Sequence, residues 1–309
     1  MTGTSATANW IRLAGIAAAC CLLFGCRAER PIVDYHGWEA VRLDNGIVQA
    51  TVVPEIARIM AFGRVNGPSL IWQDASLWGK TTALTEPDFQ NYGGAKLWVA
   101  PQDAWGWPPI PAMDRGPCES DITPDGALVM RGVSCEVTGV RLDRTVALDA
   151  ESAVLSLQYT MQNTTTSNVS WGIWNVIQLE GGGRVLLPVP EGTRVWEHRD
   201  WSILDEWKRC GDVLVLRHSG KEGKVHTIGP EAWIAYEKDG EVFVLAIAAS
   251  PDAVYPPAHG NCEVYAGGQY VELEHVAPLT ELAPGASATT AERWLSFSLD
   301  GAGLSDEAL

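Results

Sequence analysis

The sequence predicts an all-β protein, a large antiparallel two-sheet sandwich, and three observations carry the prediction. Beyond the first residues no long stretch repeats its apolar positions with a period near 3.6, whereas alternating or β-branched runs bounded by Gly, Pro, Asn and Asp recur every ten or so residues. The clearest runs lie at 47–53, 58–65, 128–133, 137–148, 153–162, 169–179, 213–216, 232–236, 242–249, 270–274 and 289–299. That is more strands than a small barrel holds and suits two large packed sheets. No domain-separating Gly/Ser/Pro linker interrupts them, so a single domain from about 35 to 300 is expected within the 309 residues. Hydrophobic residues make up 46% of the chain and charged residues 19%, which supplies a sizeable core and argues against disorder.

The chain opens with an address rather than a fold element. Arg12 precedes the apolar run from Leu13 to Gly25, which meets Cys26. The run is too short for a stable bilayer anchor, and its basic-then-apolar order is that of a signal peptide. Leu23-Phe24-Gly25-Cys26 looks like a bacterial lipobox, in which the cysteine is acylated and becomes the mature N-terminus. Residues 1–25 are therefore expected to be a lipoprotein signal peptide, with Cys26 the lipidation site and 26–34 a tether to the membrane. Arg27 stands where inner-membrane lipoproteins carry Asp, which points to the cell envelope, at the outer membrane facing the periplasm. The alternative is an ordinary signal peptide cut near Cys26.

After the runs at 47–53 and 58–65 the rhythm breaks at 91–109, where Lys96, Trp98, Gln102, Asp103, Trp105 and Trp107 sit among glycines and prolines. Glycine permits close backbone approach and proline stiffens a loop. Flat apolar faces beside hydrogen-bonding groups suit a sugar, whose ring has an apolar C–H face and a rim of hydroxyls. The structural alternative is that these indoles plug the end of a sandwich.

Four cysteines follow in a chain read as exported, and they predict two disulfides with three possible connectivities. Cys118 and Cys135 flank the turn signal Thr123-Pro124-Asp125-Gly126, so pairing across that hairpin is favoured, which leaves Cys210 with Cys262. A metal site lacks any Cys-x-x-Cys or clustered His, no ligand-spaced Asp/Asn loop suggests calcium, and no cofactor is expected.

In the run 171–180, alternation sets Trp174, Val176 and Gln178 opposite Ile173, Asn175, Ile177 and Leu179. The second, more apolar set reads as core, so Trp174 and Gln178 can face a groove, with a core indole the near-equal alternative for Trp174. In the run 270–279, period two points Glu272 and Glu274 to one face and Val271, Leu273 and His275 to the other. Two carboxylates on one face repel, which raises the pKa of one unless a cation intervenes, and such a pair suits general acid-base work. A solvated outer face is the equal alternative in a chain this acidic. The tail, 301–309, is small and acidic and is expected to be frayed.

Lys and Arg total 22 against 38 Asp and Glu, a net charge of −16 with no basic run, which argues against a nucleic-acid partner. Tryptophan, at 14 residues against 7 Tyr and 5 Phe, dominates the aromatics. Trp38, Trp72, Trp233 and Trp294 read as core, while Trp78, Trp196, Trp201 and Trp207 lie in loops that can rim a groove. His36, His198, His218, His226 and His259 have no partners in sequence and read as surface or structural.

The order of these features resembles the galactose mutarotase-like (aldose epimerase-type) superfamily, most closely a bacterial lipoprotein branch known only as a domain of unknown function. The resemblance runs through Asn45-Gly46-Ile47 to Ile59, the segment from Gly93 to Gln102, Asn163 to Leu179, and Glu272 to Trp294 with its Leu282-Ala283-Pro284-Gly285 turn, nearly the whole mature chain. Its specific part is Gly-Gly-x-Lys-x-Trp-x-x-Pro-Gln at 93–102. The resemblance implies a supersandwich with a carbohydrate-binding groove on the concave face of one large sheet. It further implies a C-terminal glutamate as general base and a central-strand histidine as general acid. Glu272 or Glu274 falls at the glutamate's place, but Trp174 stands at the histidine's, and an indole N–H does not relay protons at neutral pH.

Two functions follow as expectations. One is an envelope lipoprotein acting on a sugar or uronate by proton transfer, epimerase-like with lyase or hydrolase chemistry behind it. There Glu272 or Glu274 is the base, Lys96 its electrostatic partner, and Trp98, Gln102, Asp103, Trp105, Trp107, Trp174 and Gln178 bind the substrate. The other is a non-catalytic glycan-binding lipoprotein that has lost the acid. In both, the partners are a carbohydrate, either a small saccharide or a polysaccharide end, and the membrane through the N-terminal lipid.

Overall fold

A computed structural model describes residues 31–199, 201–230, 233–248 and 250–299. The expected signal peptide at 1–25, the lipidation site Cys26 and the tail at 301–309 lie outside the described residues. Short apolar alternations cut by turn residues fold into twenty-one strands among the described residues, in two antiparallel sheets. Asn45 and Gly46 show how one cut works. The Asn45 side chain accepts from the backbone N–H of Ile47 and Val48 at 2.9 and 2.8 Å, and Gly46 takes a φ of +81° that other residues resist.

The chain lays down β1 (Ile32–Tyr35), β2 (Trp38–Asp44), β3 (Val48–Val53), β4 (Arg58–Arg64) and β5 (Ala95–Ala100) as a meander in the larger sheet. After the short helix α1 (Pro111–Arg115) it crosses to the second sheet for β6 (Glu119–Ile122), β7 (Leu128–Cys135), β8 (Val140–Leu148) and β9 (Val154–Asn163). It returns for β10 (Val169–Glu180) and then alternates. The second sheet gains β11 (Arg184–Pro188), β13 (Trp207–Cys210), β14 (Val213–Arg217), β16 (Trp233–Lys238), β17 (Glu241–Ile247) and β21 (Ser287–Ser298). The larger gains β12 (Arg194–Glu197), β15 (Gly223–Ile228), β18 (Cys262–Ala266), β19 (Tyr270–Val276) and β20 (Thr280–Leu282). The larger sheet runs β1-β2-β3-β4-β5-β10-β19-β18-β15-β12, with β20 paired onto β10, so β5 and β10 sit at its centre with β19 beside them. The second runs β13-β14-β11-β16-β17-β21-β9-β8-β7-β6.

The core lies between the sheets. Phe62 of β4 meets Phe243 of β17 and Trp294 of β21 at ring-centroid distances of 6.1 and 6.0 Å, a contact of aromatic edges and faces across the sandwich. One polar cluster is built into this apolar layer. Glu292 of β21 accepts from Tyr159 Oη at 2.6 Å, Asn175 Nδ2 at 2.6 Å and Trp294 Nε1 at 2.8 Å, and its second oxygen lies 3.0 Å from His275 Nδ1. A buried carboxylate is tolerated because its oxygens are met.

Two expectations are corrected. The segment at 91–109 is not all loop: residues 95–100 form β5, every residue of which is buried. Both faces of that strand are covered, so the alternation that marks a half-exposed strand is missing from it. The four cysteines of the described residues are free thiols rather than two disulfides. Glu119 pairs with Arg131, so Cys118 stands level with residue 132 while Cys135 lies three residues farther along β7. At about 3.3 Å per residue that offset exceeds the Cα separation a disulfide accepts. Cys210 ends β13 in the second sheet and Cys262 opens β18 in the larger one, so they belong to different layers.

Candidate functional site

The register of the larger sheet brings distant residues into rows on the face turned away from the second sheet. Lys96 of β5 lies opposite Val176 of β10, Val176 opposite Glu274 of β19, Glu274 opposite Glu263 of β18, Glu263 opposite His226 of β15, and His226 opposite Trp196 of β12. On one side of this row runs Gln178, Glu272, Tyr265 and Lys224, and on the other Trp98, Trp174 and Val276. Residues two apart on a strand share a face, so all three rows line one surface. Over them opens a cavity of about 570 Å³, lined by Lys96, Trp98, Trp174, Lys224, His259 and Glu272 at its floor. Its rim includes Gln102, Asp103, Trp107, His198, Arg199 and Trp201.

The charges form two linked clusters. Lys96 Nζ lies 3.0 Å from Glu272 Oε1 and rests 4.6 Å above the Trp98 ring, while Gln178 Nε2 donates to the same oxygen at 3.0 Å. Lys224 Nζ lies 2.7 Å from Glu274 Oε2 and 2.8 Å from Glu263 Oε2, 4.8 Å above the Trp174 ring. Trp174 Nε1 donates to Glu274 Oε2 at 2.7 Å. His259 Nδ1 bonds Glu263 Oε1 at 2.9 Å, which fixes the orientation of its ring. His226 Nδ1 stands 3.0 Å from the same oxygen, outside hydrogen-bonding geometry.

One cation between two buried carboxylates cannot neutralise both, so they separate in acidity. Burial, reinforced by the Glu263 and Glu272 charges against the pull of Lys224, pushes Glu274 up to about 8. Burial also opposes the Glu263 anion, yet Lys224, His226 and His259 together hold it well below the usual carboxylate range. Lys224 is itself raised, because the two carboxylates outweigh its burial. Burial and the neighbouring Lys224 lower His198 to about 4, so its imidazole is neutral at pH 7. Exposure divides the two strand carboxylates: the Glu272 side chain is 14% exposed and borders the cavity, whereas that of Glu274 is fully buried beneath it.

Lys96, Glu272, Trp98 and Trp174 thus converge at the floor, with Gln178 behind Glu272, and Gln102, Asp103 and Trp107 stand at the rim. Trp105 does not line the cavity: its indole donates to the Val99 carbonyl at 2.8 Å and packs against Trp98 at 5.8 Å. Trp98 is fixed from behind by Asp114 of α1, which accepts from its Nε1 at 2.9 Å and pairs with Arg58 at 2.7 Å. Sequence reasoning missed Lys224, Glu263 and His259, and the reading of His198 and His259 as surface or structural gives way to a place in the cavity wall. The signal was present as alternation in Lys224-Val225-His226 and Glu263-Val264-Tyr265, but charge on alternate positions reads as a solvated face. Among the described residues no group of three His, Cys, Asp or Glu is arranged to hold a metal ion.

Comparison with solved structures places the fold. A galactose mutarotase-like protein from Lactobacillus casei superposes with a TM-score of 0.59 at 12% identity, over 84% of this chain and 100% of that one. A galactose mutarotase related enzyme from Lactobacillus acidophilus gives 0.58 at 11%, over 86% and 100%. A TPR-domain containing protein from Parabacteroides distasonis gives 0.60 at 13%, over 88% of this chain and half of that one. At such identities the likeness shows the fold alone, and it is the galactose mutarotase-like supersandwich that the sequence resembles. No curated protein matches the sequence. The model of the domain of unknown function DUF4380 matches residues 38–297, which takes in both sheets and every floor residue of the cavity, and the chain belongs to that family.

Proposed function

We propose that the cavity binds a carbohydrate and moves protons on it, in the manner of an aldose epimerase. The observation that carries this reading is the meeting in one cavity of a partly exposed carboxylate, an imidazole backed by a second carboxylate, and indole walls. Glu272 is the base, with Lys96 Nζ paired to it at 3.0 Å. His259, oriented by Glu263, is the acid in place of the histidine that Trp174 displaces. The ring face of the sugar packs on Trp98 and Trp174. The cations favour a neutral sugar over a uronate, since Lys96, Lys224 and Arg199 are each already paired with carboxylates. An added anion would meet no unspent positive charge there.

A specific observation supports the second reading, a non-catalytic glycan binder: Glu272 Oε1 is already engaged by both Lys96 and Gln178. Anomeric exchange of neutral aldoses followed by NMR decides between them. Acceleration that disappears in Glu272→Gln supports the enzyme, binding without acceleration supports the binder, and no binding by any sugar removes both. As part of the same reading, residues 1–25 are a lipoprotein leader and Cys26 tethers the domain to the envelope. Loss of detergent-phase partitioning in Cys26→Ala is the expected result, and unchanged partitioning refutes it.

A further inference from the structure

The groove does not end at Glu272. The segment at 71–73 adds itself beside β10: Ile71 bridges Leu179, and the Trp72 N–H donates to the Gln178 carbonyl at 2.9 Å. Trp72 therefore stands opposite Gln178, on the same face as the three rows of the site. Its indole packs on Tyr270 at 4.7 Å, and Tyr270 borders the main cavity from the other side. Beyond this aromatic pair lies a second cavity of about 460 Å³, whose lining includes Trp72, Gln73, Trp78, Glu180, Lys238 and Gln269.

This second cavity repeats the chemistry of the first with different residues. Trp78 is 41% exposed yet held rigid, stacked on His36 at 3.7 Å with an interplanar angle of 6° and donating from Nε1 to Gln73 Oε1 at 3.2 Å. Gln73 is fixed in turn, since its amide donates to Tyr35 Oη at 2.6 Å and to the Met60 carbonyl at 2.8 Å. An exposed indole immobilised by its neighbours presents a flat apolar face without an ordering cost at binding. The Glu180–Lys238 pair, 2.6 Å apart and open to solvent, and the Gln269 amide supply groups for hydroxyls. Both charges are spent on each other, so this cavity, like the first, offers no unpaired cation to an anion.

We propose that the Trp72–Trp78 cavity is a second saccharide subsite, so that the ligand is a neutral oligosaccharide of at least two linked sugars lying across Tyr270. The proposal rests on the saccharide reading of the main cavity and extends it to the length of the ligand. Tyr270 is two residues from Glu272 on β19, about 7 Å along the strand, a step comparable with one pyranose ring and its linkage.

Tryptophan-fluorescence and calorimetric titrations with glucose, galactose and mannose, and with their β-1,4- and α-1,4-linked di- and trisaccharides, test it. Expected is a disaccharide affinity about tenfold above that of its monosaccharide. Trp78→Ala, at an exposed position that leaves the main cavity intact, erases this gain while the monosaccharide Kd stays the same. Equal affinity at every chain length in the unmodified protein overturns the subsite and leaves the main-site reading standing. A length gain that persists in both Trp78→Ala and Trp72→Phe also overturns it. If no saccharide of any length binds, the main-site reading fails and the subsite falls with it.

Discussion

Two buried carboxylates, Glu274 of β19 and Glu292 of β21, meet residues from opposite faces of β10 and β19 and are treated in opposite ways. Trp174 of β10 reaches Glu274 in the groove, while the next residue, Asn175, reaches Glu292 in the core. His275 follows Glu274 on β19 and points to Glu292. Glu292 has both oxygens engaged, by Tyr159, Asn175, Trp294 and His275. Glu274 is tied through one oxygen to Trp174 and Lys224, and its Oε1 has no partner among the described residues. A carboxylate that only holds the fold is saturated; one that keeps an open oxygen beside a cation retains the capacity to take up a proton.

The largest effect that tests this contrast is on stability. Glu292→Ala strands four donors between the sheets and should lower the unfolding free energy by about 3 kcal/mol or more, read from urea melts; a loss under about 1 kcal/mol would show that Glu292 is not the structural member of the pair. Next comes Glu272→Gln, which should cut sugar turnover by about a hundredfold while leaving the melt near that of the unmodified protein. A parallel drop in both quantities assigns Glu272 to the fold instead.

The pH dependence of stability separates the members further. Glu274 is raised from its ordinary 4.5 to about 8, so its folded form holds the proton more tightly than the unfolded chain does. Its contribution is complete below about 4.5 and is lost as pH rises through 8. The difference in stability between the unmodified protein and Glu274→Gln should accordingly change across that window, and a flat difference contradicts it. His198, lowered to about 4, has the opposite sign: its contribution is present above its ordinary 6.5 and is lost as pH falls toward 4. The smallest effect concerns the thiols. Dithiothreitol should leave the melting temperature unchanged, and alkylation of the denatured, unreduced chain should label Cys118, Cys135, Cys210 and Cys262; protection of any pair would restore a disulfide.

The architecture was legible wherever one face of a strand meets water or a mixed surface. The runs at 153–162 and 289–299 coincide closely with β9 and β21, whose alternation is plain. It was hidden in β5, where both faces are covered, and in β15 and β18, where charged residues alternate with apolar ones yet point into the groove. The same masking divided the site. Lys96, Glu272 and Trp174 stand out because they break a local pattern. Lys224 and Glu263 gain meaning only through register with strands far away in sequence, which no local reading contains. Trp72 reads as core from its neighbours and is half-buried on the groove face, because the segment carrying it pairs with β10 through isolated bridges rather than a ladder.

The mouth of the cavity is held differently from its floor. Asp103 and Arg199 come from separate loops and meet at 2.5 Å, with side chains 70% and 64% exposed. A contact so open to solvent loses its attraction as ions accumulate, whereas the buried pairs beneath it are shielded from them. Rising ionic strength is therefore expected to loosen the contact at the mouth while leaving the buried pairs of the floor in place.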